Sequence, residues 1–127
     1  MLSREEVIRK HRDMWNWIAD RIMERKQPVI IDNLKRKYVL QHKENIEYNC
    51  YLCDYCIDMQ GGVEFKRCKY CPLDWESDGD ENGLYQCLEN HDEMGLYVEA
   101  KRTAVWEEQY KLCKKIANLK ERWQCQQ

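Results

Sequence analysis

Five of the eight cysteines fall between residues 50 and 71, as "NCYLCDYC" followed by "CKYC". Thiolates are soft metal ligands, and two short C-x2-C turns can each offer two sulfurs to one tetrahedral ion. Cys50-x2-Cys53 with Cys68-x2-Cys71 leaves fourteen residues between the pairs, just short of the usual zinc-ribbon separation. Cys53-x2-Cys56 with the same second pair leaves eleven. We read Cys50, Cys53, Cys68 and Cys71 as the zinc ligands, with Cys56 as the alternative, because Cys56 then falls on a strand as a small packed residue. An iron–sulfur cluster also takes thiolates, but the two symmetric pairs favour zinc. Four thiolates close the coordination sphere, which suits a structural metal better than a catalytic one. A redox C-x2-C would require a thioredoxin-like βαβ context, and the pattern contains none.

Other constellations are weaker. "DGDENGLYQCLE" matches a calcium loop through Asp78, Asp80, Asn82, Gly83 and Glu89. Pro72 and the metal turn stand where an entering helix belongs, and Tyr85 where a branched apolar residue is usual, so a solvated acidic turn is the default. His11 lies on an apolar helical stripe and reads as a packed histidine, whereas His42 could serve as a substitute zinc ligand. Cys87, Cys113 and Cys125 are single, and Cys113 fits an apolar stripe. No nucleophile–base pair or phosphate-binding glycine loop stands out, so a binding protein is expected before an enzyme. A metal-dependent enzyme would need an open coordination position.

Charge is unevenly distributed. The chain of 127 residues has a net charge of −2, yet residues 72–100 hold nine Asp/Glu and no Lys or Arg. Both ends are net basic. The acidic side chains Asp74, Glu76, Asp78, Asp80 and Glu81 are candidates for a partner-binding surface, with pairing inside the molecule as the simpler use. Basic runs in "LKRKY" and "CKKIANLKER" keep nucleic-acid binding open as a zinc-ribbon alternative, although the concentrated charge beside the cysteines has the wrong sign for phosphate. No apolar run approaches the ~20 residues of a membrane span. The first residues lack the basic-then-apolar order of a signal peptide, and clustered reduced thiols suit a cytoplasmic location.

The elements that must hold these residues are mainly helical. "SREEVIRKHRDMWNWIADRIMERKQP" begins with a Ser3/Glu6 capping box. It carries Val7, Ile8, His11, Met14, Trp15, Ile18 and Ile22 at helical spacing and ends before Pro28. A second helix is expected over 32–42, capped by Asp32, with Ile31, Leu34 and Tyr38 on one side; "VII" could instead be extended. Alternation around Gly61–Gly62, from Ile57 to Phe65, predicts a β-hairpin that folds the first cysteines onto the second. A helical pattern resumes at Leu84, interrupted by Gly95, and becomes clearest in Val105, Trp106, Tyr110, Cys113, Ile116, Ala117 and Leu119. The expectation is one mainly α domain with a small β-hairpin, its helices packed around a four-cysteine zinc knuckle. N-terminal helices would occupy 1–48, the knuckle 49–73, an acidic loop 74–93 and a helical segment 94–123.

The stretches "HRDMWNWIAD", "NCYLCDYC", "CKYCPLDW" and "LYVEAKRTAVWEEQYKLCKKIANLKER" resemble a group of small proteins of bacteriophages and prophages of Firmicutes. Their pattern runs H-x3-W-x-W, C-x2-C, C-x2-C-P-x-x-W, a later cysteine and a terminal I-A-N-L helix. The resemblance covers most of the chain and maps the paired cysteines onto Cys50, Cys53, Cys68 and Cys71. Cys56 falls outside the pattern, and Lys120 stands where a proline is more usual. What the resemblance implies is an accessory protein acting in the bacterial host's cytosol by binding a host protein. Inhibitors of bacterial immune systems, of the anti-CRISPR kind, are one such class.

Overall fold

The computed structural model describes residues 3–44, 50–52, 55, 71–75, 87, 89–90 and 93–121. Helix α1 spans Arg4–Arg25. Its start follows the expected chemistry: the Ser3 side chain accepts from the Glu6 amide, and Glu6 reaches back to the Ser3 backbone. At the other end Lys26 adopts φ 52° and its N–H returns to the Ile22 carbonyl at 2.8 Å, a left-handed stop two residues before Pro28. All seven residues of the expected stripe, Val7 to Ile22, are buried.

Helix α2 covers Ile31–Gln41 and begins one residue earlier than the sequence suggests. Ile30 takes the N-cap position with no side-chain cap, so Asp32 is not the cap. Its carboxylate instead lies in the first turn, where it accepts from the Tyr97 hydroxyl and pairs with Lys101. Ile31, Leu34 and Tyr38 bury one face as expected. Of "VII", Val29 and Ile30 stay extended before the helix and only Ile31 joins it.

Residues 89–90 and 93–94 pair as a two-stranded antiparallel ribbon, where the sequence reads a helical pattern from Leu84 onward. Strand β1 (Glu89–Asn90) pairs with β2 (Glu93–Met94), Glu89 opposite Met94. Gly95 then caps α3 (Leu96–Arg102). A break at Thr103–Val105 separates it from α4 (Trp106–Ala117). Within α4 the buried face is Gln109, Leu112, Cys113, Ile116 and Ala117; Val105, expected on that stripe, is the exposed N-cap residue.

Helices α1 and α4 are the principal packed pair. Contacts of Arg4 with Glu121, Arg12 with Leu119 and Asn16 with Lys114 run in opposite chain directions, so the two helices are antiparallel. Helix α3 packs on α4, and α2 reaches both α1 and α3. Ile18, Ala19, Ile22, Ile116 and Ala117 lie fully enclosed between them. Among the described residues the molecule is thus a single, mainly helical domain of four helices with one short ribbon. The hairpin expected over 57–65 lies outside the described residues, as does most of the cysteine knuckle.

Candidate functional site

Cys50 and Cys71 bound the cysteine segment, and the described residues at both ends of it are seated on the helical body. Cys50 is half-buried and is followed by buried Tyr51 and Leu52, which are helical. The Lys10 ammonium lies over the Tyr51 ring, 5.9 Å from its centroid, and pairs with Glu44 at the end of α2. At the return, the Arg4 guanidinium donates to the Pro72 carbonyl at 3.2 Å and pairs with Glu121 at 3.3 Å. Leu73 is fully buried and bridges to Glu121, and the Asp74 N–H donates to the Lys120 carbonyl at 2.8 Å.

Cys71 itself is 7% exposed, and the Trp75 indole Nε1–H donates to its Sγ at 3.3 Å. An N–H aimed at the sulfur fixes its direction. Of the other expected zinc ligands, Cys53 and Cys68 lie outside the described residues, as does the alternative Cys56. Among the described residues no group of three Cys, His, Asp or Glu side chains gathers to hold a metal.

The Trp75 ring meets His11 edge-on, 6.1 Å between centroids, and His11 in turn meets Trp15 at 6.3 Å. His11 Nε2 lies 3.0 Å from the Ile116 carbonyl near the end of α4. A carbonyl only accepts, so this nitrogen carries the proton in the neutral ring. Burial drives the His11 pKa down from 6.5 to about 4, against the opposing pull of that carbonyl. It is a packed histidine, as its place on the stripe suggests. His42 Nδ1 bonds the Tyr38 carbonyl at 2.9 Å, and its ring stacks on Tyr38. Cys113 is fully buried on α4, and burial pushes its thiol up to about 12, which makes it inert as a nucleophile.

Of these acidic candidates, Asp74 is described and is exposed. Glu76, Asp78, Asp80, Glu81 and Asn82 lie outside the described residues. Glu89 stands in β1, and the next described helix begins at Leu96; in a calcium loop the twelfth residue leads directly into the exiting helix. Beside Asp74, a cavity of about 270 Å³ is lined by Lys115, Asn118, Leu119 and Lys120. It is smaller than usual small-molecule sites and is bounded by charges of both signs.

One polar cluster has no precursor in the sequence reading. Lys35 is 2% exposed, and its ammonium donates to the Tyr97 hydroxyl at 2.9 Å. That hydroxyl donates to Asp32, whose other oxygen pairs with Lys101 at 2.9 Å. Burial pushes the Asp32 carboxyl up, but the Tyr97 hydroxyl and Lys101 outweigh it and hold the pKa below the usual range. Burial, then the Asp32 carboxylate, then the Cys50 and Cys87 thiols hold the Tyr97 hydroxyl above the usual phenol range. The partners lie more than sixty positions apart in the chain, so no local spacing announces them.

Set beside known proteins, the chain matches no family model, no curated protein and no solved structure.

Proposed function

We propose that this protein binds another protein through a surface that includes the acidic segment 74–93, held in shape by a structural zinc. The observation that carries the reading is the seating of both ends of the cysteine segment on the helical core. Cys50 leads into buried Tyr51 and Leu52, and Cys71 is buried under a Trp75 N–H. A metal drawing on Cys50, Cys53, Cys68 and Cys71 would therefore be tied to the α1–α4 body at two places, as a staple requires. The donor chemistry fits: soft thiolates suit zinc, and the indole N–H on Cys71 Sγ is the kind of contact that steadies a ligating sulfur.

The acidic run begins immediately after the second cysteine pair, so the staple would set where it emerges. Asp74 opens that run as an exposed residue with its backbone pinned to Lys120. In keeping with the resemblance to phage and prophage proteins, the partner would be a protein of the bacterial host, with an immune effector as the specific candidate. Tagged wild-type protein and a variant carrying Glu76→Gln, Asp78→Asn, Asp80→Asn and Glu81→Gln should be compared for capture of host proteins. A partner taken by the wild type and lost by the variant is expected. Equal capture by both would remove the acidic surface from the reading, and salt-sensitive binding of DNA or RNA in a shift assay would replace it with nucleic-acid recognition.

A further inference from the structure

The seam between α1 and α4 runs out uncovered at one end of the molecule. Because the two helices are antiparallel, the end of α1 lies at the same end as the start of α4. Met23 follows the fully buried Ala19 by one turn of α1, and Val105 precedes the fully buried Gln109 by one turn of α4. Each therefore extends the face that its helix buries. Ile30 adjoins Val29, whose N–H and carbonyl are both bonded to the Gln109 side chain. Met94 reaches the same end, with the Arg102 guanidinium at the close of α3 3.8 Å from its Sδ.

Ile30 is 69% exposed and Val105 55%. With Met23 and Met94 they make four of the five large apolar side chains that stand exposed among the described residues; Leu40, the fifth, lies at the far end of α2. Single exposed apolar residues are ordinary, but their concentration at one end, in line with the buried stripes, marks a contact surface. The charges there indicate its partner. Arg25 and Lys26 close α1, and Glu107 and Glu108 open α4. Among the described residues none of these four takes part in an ion pair. Both signs thus flank one apolar centre. A partner of a single sign would meet one pair and repel the other. A second copy turned about a two-fold axis brings Glu107 and Glu108 of each chain toward Arg25 and Lys26 of the other.

We propose that this end of the molecule is the interface of a symmetric homodimer. Val105 and Ile30 form its apolar centre, and the cations at the end of α1 pair with the carboxylates at the start of α4 across the axis. Met23 and Met94, unbranched and adaptable, fill the edge of the contact. The anchors of the cysteine segment at Arg4, Leu73 and Glu121 lie at the opposite end of the α1–α4 pair, so the dimer is independent of the zinc reading.

Sedimentation equilibrium of the full chain, from micromolar to sub-millimolar concentration, tests the proposal, with circular dichroism and melting confirming that each variant folds. The wild type is expected to show a monomer–dimer equilibrium. Val105→Asp and Ile30→Asp should each weaken it tenfold or more, while Leu40→Asp leaves it unchanged. Glu107→Lys with Glu108→Lys, and Arg25→Glu with Lys26→Glu, should each self-associate tenfold or more weakly, and the two proteins mixed should regain a dimer containing one of each. A wild type that stays monomeric throughout overturns the proposal; if Val105→Asp then loses a host protein that the wild type captures, the surface belongs to a different partner. A dimer indifferent to Val105→Asp and Ile30→Asp would put the interface elsewhere and overturn it equally. Failure of the two charge variants to associate on mixing would overturn the pairing across the axis.

Discussion

Gln109 and Tyr51 are both buried polar side chains, and they are expected to respond in opposite ways to loss of their polar atoms. Gln109 is fully enclosed and makes three bonds: Oε1 accepts from the Val29 N–H at 2.8 Å, and Nε2 donates to the Val29 and Ala100 carbonyls at 3.0 Å each. It ties the approach to α2, the end of α3 and the face of α4 at one point. Gln109→Leu strands three buried backbone groups and should cost about 2–4 kcal/mol in chemical denaturation. The Tyr51 hydroxyl is buried without a hydrogen-bond partner among the described residues. Tyr51→Phe should therefore be neutral or stabilise by up to about 1 kcal/mol; a large loss there would mean the hydroxyl is used. His11 adds a pH dependence. Its pKa falls from 6.5 to about 4 on folding, so the unfolded chain binds more protons between those values. The stability linked to His11 is complete above about pH 6.5 and is lost as pH falls toward 4, by about 3 kcal/mol in all. Denaturation midpoints across that range should slope downward in the wild type and lose most of that slope in His11→Gln, which retains a donor for Ile116.

At the scale of elements, legibility followed the range of the interaction that decides each one. Helix α1 is fixed by a capping box three residues long, a stripe at three and four, and a stop before Pro28, and each is local. Helix α2 had the right buried face but the wrong cap, because Asp32 is claimed by Tyr97 and Lys101 from α3. The pairing of 89–90 with 93–94 was missed for a related reason: two-residue strands carry no periodicity, and the next described helix begins only after Gly95. Gln109 was passed over because a polar residue on an apolar stripe reads as a solvent position until its partners at Val29 and Ala100 are known. The end of α1 offers a direct check. Lys26 sits at φ 52°, a conformation that costs a non-glycine residue about 1 kcal/mol. Lys26→Gly should raise stability by up to that amount in denaturant melts, and a loss would show that the Lys26 side chain makes a compensating contact.

For the molecule as a whole, three distant stretches of sequence meet in space. His11 and Trp15 of the first stretch, Cys71 and Trp75 of the second, and Ile116 to Leu119 of the last form one contact cluster between α1, the 71–75 segment and the end of α4. The antiparallel packing of α1 on α4 is what brings them together. What holds the cysteine segment in place is thus legible at its two anchors, whereas the charge balance around Lys35 depends on tertiary contacts that no window of sequence contains. The central claim is a thiolate-bound zinc that ties this body together. Metal content of protein purified without added metal tests it most directly, in the wild type, Cys56→Ser and Cys50→Ser. The expected result is about one zinc per chain in the wild type and Cys56→Ser, and loss of both metal and cooperative unfolding in Cys50→Ser. Metal-free wild-type protein, or a full equivalent retained by Cys50→Ser, would contradict it.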